Sequence, residues 1–132
     1  MFDRIEVAAG VVTNAEGRML ICRRKGALDG LWEFPGGKRE KGETFQQCLE
    51  RELMEELELP VKAGNTLGSV LRREGDKTIW LVFVSATLKE SESLILHEHG
   101  KAAWVLPEET AQYDFCPADR SFLNSYLPTL NN

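Results

Sequence analysis

The sequence predicts an α/β fold, a mixed β-sheet flanked by helices in an α/β/α sandwich with a loop-helix-loop at its centre. Three observations carry this. Short runs rich in Val, Ile and Ala, bounded by Gly, Asn and Asp, recur along the chain and read as strands. The stretch after Thr44 repeats Leu at helical spacing, at Leu49, Leu53 and Leu57. Near the end, Phe122, Leu123, Tyr126 and Leu127 form the apolar face of a second helix.

In chain order, Phe2 to Thr13 and Arg18 to Arg24 read as two strands joined by the turn Asn14-Ala15-Glu16-Gly17. Gly26 to Gly30 is a short loop, and Leu31 to Phe34 a strand running into Pro35-Gly36-Gly37. Thr44 followed by Gln47 matches a capping box, so the helix runs from Phe45 to Leu57. Pro60 to Asn65 is a connection, Thr66 to Arg73 a strand, and Glu74-Gly75-Asp76-Lys77 a hairpin turn. Thr78 to Leu88 is apolar on both faces, which places it centrally in the sheet. Lys101 to Val105 is a further strand. Pro107-Glu108-Glu109 opens a short helix with acids at its positive end, and Pro117 to Leu127 is the last helix. A chain of 132 residues without linker or repeat suits one domain, 1–132.

The first helix carries an unusual charge. At about 100° per residue, Glu52, Glu55 and Glu56 fall on a stripe beside the leucines. Between Glu43 and Leu59 there are six Glu, one Arg and no Lys, so the usual basic partners one turn away are missing. Two carboxylates about 6 Å apart repel by roughly 0.7 kcal/mol in water and roughly 3 kcal/mol at an effective dielectric of 20. Hard divalent cations held through oxygen offset such a block. The glycines of the preceding loop leave it free to turn carbonyls inward as neutral ligands.

A net charge of -5 and a pI near 5.1 argue against a surface that grips duplex nucleic acid. No apolar run is long enough to span a bilayer, and no signal-peptide pattern opens the chain, so a soluble, cytoplasmic protein is expected. Cys22, Cys48 and Cys116 have no metal-ligand spacing and read as reduced thiols.

Gly37, five residues, Glu43, seven residues, then Arg51-Glu52-Leu53-Met54-Glu55-Glu56-Leu57-Glu58-Leu59 resembles the Nudix box, G-x5-E-x7-R-E-U-x-E-E-x-G-U with U aliphatic. The last Gly is Glu58 here. A glycine there ends the helix in a left-handed conformation, so the departure bears on the helix exit. The resemblance implies the Nudix fold and a MutT-like nucleoside triphosphate pyrophosphohydrolase serving nucleotide-pool sanitation and DNA repair. In such enzymes attack at the β-phosphorus yields a nucleoside monophosphate and pyrophosphate. It further implies that Glu52, Glu55, Glu56 and Glu98, with a carbonyl of Gly36, hold Mg²⁺, with Mn²⁺ a substitute. Glu52 is the first candidate for general base, Glu55 or Glu98 the second. Gly37, Glu43 and Arg51 support the loop and do not meet substrate.

Three stretches outside the box sharpen the reading. Arg23 and Arg24 end a strand, and guanidinium forks suit phosphate oxygens; the resemblance favours Arg24. His97-Glu98-His99 contains two histidines that point the same way on an extended segment, and without a third ligand they make a poor zinc site. Asp119 matches the position at which MutT-like enzymes read the base. An ionised Asp only accepts and prefers the exocyclic amino group of cytosine or adenine, whereas a protonated one donates and suits 8-oxoguanine. The segments from His97 to His99, Pro107 to Glu109 and Pro117 to Asp119 resemble the CTP or pyrimidine nucleotide pyrophosphohydrolase branch. A monomer or small homo-oligomer is expected, with a nucleotide as its partner. The rival reading is a non-catalytic Nudix-like nucleotide sensor.

Overall fold

Apolar residues alternate along three strands in such a way that the sheet has two greasy faces, and each face is closed by one helix. In the computed structural model, residues 3–26 and 30–131 are described. Strands β1 (Asp3–Thr13), β2 (Met19–Arg23), β3 (Trp32–Glu33) and β4 (Gly36–Lys38) precede helix α1 (Phe45–Leu57). Strands β5 (Val61–Glu74), β6 (Lys77–Leu88) and β7 (Lys101–Val105) follow, then a 3-10 turn (Pro107–Gln112), helix α2 (Pro117–Tyr126) and a final 3-10 turn (Leu127–Asn131). Among the described residues no helix is long and apolar enough to cross a membrane.

The sheet order is β3-β2-β1-β6-β5, with β4 also on β1 and β7 also on β2. β1 and β6 run parallel from Asp3↔Lys77 to Thr13↔Thr87, and the other pairings are antiparallel. This is the mixed sheet expected, with β6 inside it. Ala8, Val12, Leu20, Cys22, Val82, Val84 and Ala86 meet Leu49, Leu53 and Leu57 of α1 on one face. Ala9, Val11, Met19, Ile21, Phe34 and Phe83 meet Phe122 and Leu123 of α2 on the other. The period-2 alternation of strands distributes the two sets. Each fully buried leucine of α1 contributes about 1.5–3 kcal/mol, an upper figure for burial against an extended chain.

Helix α1 begins as its chemistry requires. Thr44 Oγ1 accepts the Gln47 N–H at 3.0 Å, and the Gln47 side chain accepts the Thr44 N–H at 2.9 Å. Its exit is left-handed although Glu58 stands where the box has glycine: φ is 50° and ψ 40°, and the Glu58 N–H donates to Met54 O at 3.0 Å.

Several boundaries differ from expectation. Gly36 to Lys38 is a strand and not only a loop, because β1 supplies a backbone partner that side-chain patterning does not reveal. β5 starts at Val61, so 60–65 is mostly strand; two register shifts between Ala63 and Gly68 hide its alternation. The 31–34 and 18–24 strands are shorter, at Trp32–Glu33 and Met19–Arg23, and the last α-helix stops at Tyr126. Phe2 and residues 27–29 of the Gly26 to Gly30 loop lie outside the described residues.

Of the glycines, Gly36 is the one most closely approached by backbone. A Cβ there would lie 1.8 Å from the Ala8 carbonyl oxygen, whereas one on Gly10 would meet only the Leu49 side chain, at 2.7 Å. Backbone cannot yield as a side chain can. Gly36→Ala is therefore expected to destabilise by about 3 kcal/mol or more and Gly10→Ala by about 1 kcal/mol in urea unfolding. Equal losses would remove the special status of the β1–β4 contact.

Candidate active site

Packing of Leu49, Leu53 and Leu57 against the sheet turns the next stripe of α1 along the β4 edge. The loop before α1 is tied to it by one cation. Arg51 Nε donates to Glu43 Oε2 at 2.6 Å, and Nη2 donates to Glu43 Oε1 at 2.9 Å and to the Lys38 carbonyl at 3.0 Å. Nη1 reaches Glu52 Oε1 at 3.0 Å and Glu55 Oε2 at 3.2 Å. The Arg51 hydrogen bonds hold the Glu43 carboxyl down at about 2 and push the Arg51 guanidinium up. The counter-charge for the stripe thus comes in part from its own single arginine, which pairs with Glu40, Glu43, Glu52 and Glu55 at once.

Glu52 lies flat against Gly37. A Cβ at position 37 would come within 2.2 Å of the Glu52 carboxyl carbon, so a side chain there would displace the carboxylate. Glu56 sits deeper. Burial first, and then the charges of Glu52, Glu33 and Glu98, push its carboxyl up to about 8, and its Oε2 is buried without a hydrogen-bond partner. Glu55 is mostly exposed and leans toward Arg51. Glu98 lies exposed on the segment that crosses the end of α1.

Glu33, which the sequence reading passed over, belongs to this cluster. Arg24 Nη1 donates to its Oε1 at 3.0 Å and His99 Nε2 to its Oε2 at 2.9 Å, and its charge bears on both Glu56 and Asp119. An acid between two aromatic residues, three positions before paired glycines, was the available signal. His99, read from the sequence only as half of a poor zinc pair, also belongs here. It is 6% exposed, while His97 turns outward to Glu58, so the two histidines do not point the same way. The segment is bent and not regularly extended, and its N–H groups at Ile95 and His97 are spent on the Leu57 and Glu56 carbonyls. Arg23 and Arg24 each keep a buried Nε without a partner.

Asp119 stands in the first turn of α2, 4% exposed, and its Oδ2 accepts the Phe34 N–H at 2.9 Å. Burial pushes its carboxyl up to about 7 against the effect of that bond, and Glu33 adds to the rise. The three cysteines are buried and free. Burial pushes Cys48 and Cys116 up to about 11 and Cys22 higher still, with Glu43 adding at Cys48, Asp119 at Cys116, and Glu33 and Glu56 at Cys22.

Among the described residues no three His, Cys, Asp or Glu side chains are gathered at metal-holding spacing. The donor chemistry nevertheless fits a hard cation: hard oxygen donors, one with an orphaned buried oxygen, whose mutual repulsion a divalent ion offsets.

An α/β/α domain that sets such a carboxylate helix against a glycine-edged strand defines a class of hydrolases acting with divalent metals. The NUDIX domain family matches residues 3–126, and the chain belongs to the Nudix family. It is 36% identical over 125 residues to a CTP pyrophosphohydrolase of Escherichia coli K12, covering 93% of this chain and 91% of that one. It is 37% identical over 91 residues to an 8-oxo-dGTP diphosphatase of Proteus vulgaris, covering 67% of this chain and 81% of the relative. The solution structure of the ORF135 protein of E. coli superposes with a TM-score of 0.83 at 34% identity, over 98% of this chain and 92% of that one. A MutT protein from Methanosarcina mazei Go1 shares the fold, with a TM-score of 0.84 at 23% identity over 99% and 98% of the two chains.

Glu56 makes the metal-free protein pH-sensitive. Its folded pKa, about 8, lies above the ordinary value of 4.5. The native state therefore holds a proton that the unfolded chain has lost, and stability falls as pH rises between those two values. Urea unfolding at pH 5, 6.5 and 8 is expected to show this slope, and Glu56→Gln to reduce it to the part that Asp119, raised to about 7, contributes. An unaltered slope in Glu56→Gln would exclude Glu56 as its source.

Proposed function

We propose that the protein is a MutT-type nucleoside triphosphate pyrophosphohydrolase, converting a (d)NTP and water to a (d)NMP and pyrophosphate, with cytosine and oxidised guanine nucleotides as its substrates. One observation carries the reading: the crowded carboxylates of Glu52 and Glu56, held on the loop-helix by the Arg51–Glu43 grip. The relatives named for CTP and for 8-oxo-dGTP support the substrate class.

Glu52, Glu55, Glu56 and Glu98, with a Gly36 carbonyl, would hold Mg²⁺, or Mn²⁺ in its place. When bound, that ion supplies charge neutralisation for the polyphosphate and an acidified water. Glu52 accepts the water's proton, its carboxylate confined between Gly37 and Arg51. Arg23 and Arg24 face the phosphates, Arg24 oriented by Glu33. Asp119, which holds the Phe34 N–H next to Glu33, reads the base.

Loss of the base isolates the chemical step. Glu52→Gln is expected to lower kcat by about 10²–10⁴-fold in a pyrophosphate-release assay while Mg²⁺ binding persists. Absence of pyrophosphate release by the unaltered protein from CTP, dCTP, 5-methyl-dCTP, dGTP and 8-oxo-dGTP at millimolar Mg²⁺ would favour a nucleotide sensor.

The titration of Asp119 near pH 7 gives the base preference a direction. Below that pH the protonated carboxyl donates, above it the carboxylate only accepts. The ratio of kcat/KM for 8-oxo-dGTP to that for CTP is expected to fall as pH rises from 6 to 8. Asp119→Asn should move preference toward 8-oxo-dGTP and make the ratio insensitive to pH. An unchanged ranking in that variant would remove Asp119 as the base reader.

A further inference from the structure

The box position at which this chain departs from its family lies beside the carboxylate that the helix must recruit from outside. Glu58 has φ 50°, and among the described residues it is the one non-glycine with positive φ. Such a residue persists where its surroundings hold it. His97 does so: its Nε2 meets Glu58 Oε2 at 2.6 Å, and because an ionised carboxylate only accepts, the imidazole N–H donates. Both side chains are about half exposed, so the contact fills no core. The same stretch is docked by its backbone, with Ile95 N–H on Leu57 O at 2.8 Å and His97 N–H on Glu56 O at 3.1 Å. Those carbonyls belong to the last turn of α1, which has no acceptor use within the helix.

On the other flank, His99 is buried and donates to Glu33 at 2.9 Å. Glu98 therefore hangs between two pinned neighbours, one on the exit of α1 and one on β3, while its own side chain is exposed and its charge bears on Glu56. We propose that the His97–Glu58 and His99–Glu33 pairs position Glu98, and that Glu58 in place of the box glycine is part of this device. Glu58, His97 and His99 are positioning residues, acting through Glu98. The inference rests on Glu98 as a metal-binding carboxylate of the proposed pyrophosphohydrolase.

Glu58→Gly is the informative variant, because it restores the family residue and relieves the backbone. If Glu58 merely ends the helix, the change is neutral or beneficial. If it positions Glu98, thermal stability is kept or raised, yet amide exchange at 95–99 of the metal-free protein accelerates. The Mg²⁺ concentration for half-maximal activity should then rise about 10-fold, the scale of losses when a residue that orients a metal ligand is removed. Nucleotide KM at saturating Mg²⁺ stays the same. His97→Ala should reproduce both effects, the double variant should add nothing to either, and Glu58→Gln, which keeps an acceptor oxygen, should rescue them. In a Glu98→Gln background Glu58→Gly should no longer alter the Mg²⁺ requirement. Exchange at 95–99 and Mg²⁺ requirement both within twofold of the unaltered protein in Glu58→Gly would overturn the proposal, as would additive losses in the double variant. Were none of the nucleotides hydrolysed, the exchange measurement and Mn²⁺ binding by the same variants would still decide it.

Discussion

Repulsion among carboxylates is the constraint from which this structure is built. Glu52, Glu33 and Glu98 all bear on Glu56 at the edge of α1, and with burial they raise its pKa to about 8. Everything around them either supplies positive charge or fixes where the negative charge can go. Arg51 spans Glu43, Glu52 and Glu55, Arg24 and His99 share Glu33, and Gly37 leaves the room that Glu52 occupies. The leucine stripe of α1 contributes the burial that keeps the acids assembled. Without it they would separate into water, where each pair repels by less than about 1 kcal/mol.

What the sequence made legible is what has a local signature. The Thr44 capping box, the leucine spacing and the turn at Gly75 each act over a few residues, and α1 and the β5–β6 hairpin emerge where those signals place them. Strand β4 was hidden because two glycines carry no side-chain pattern; it is a strand only because Ala8 and Ala9 lie beside it. The start of β5 was hidden by bulges, which shift the alternation from one face to the other. At the site, the spacing of Glu43, Arg51, Glu52, Glu55 and Glu56 identified the loop-helix. Glu33 and His99 are joined by a contact across 66 positions of sequence, and no single stretch contains it.

Asp119 shows how closely the two halves of the molecule are coupled. Its carboxyl holds the Phe34 N–H, one residue from Glu33. Neighbouring residues of a strand face opposite ways, and here Phe34 joins the α2 core while Glu33 turns to the acids of α1. The base reader and the phosphate site proposed above thus meet at a single peptide unit. A change at Asp119 alters a hydrogen-bond acceptor and the anchoring of that peptide together, so the group proposed to choose the base is also structural.

The buried cysteines carry a consequence for the conditions under which such a protein works. Cys22, Cys48 and Cys116 all lie close to the site, and burial together with neighbouring acids holds each as the thiol. Peroxide attacks thiolate, and it must first reach the sulfur. Near the carboxylate cluster the protein offers oxidants no ready cysteine. The burial that packs the core, together with the acids crowded beside it, keeps this sulfur protonated and out of an oxidant's reach.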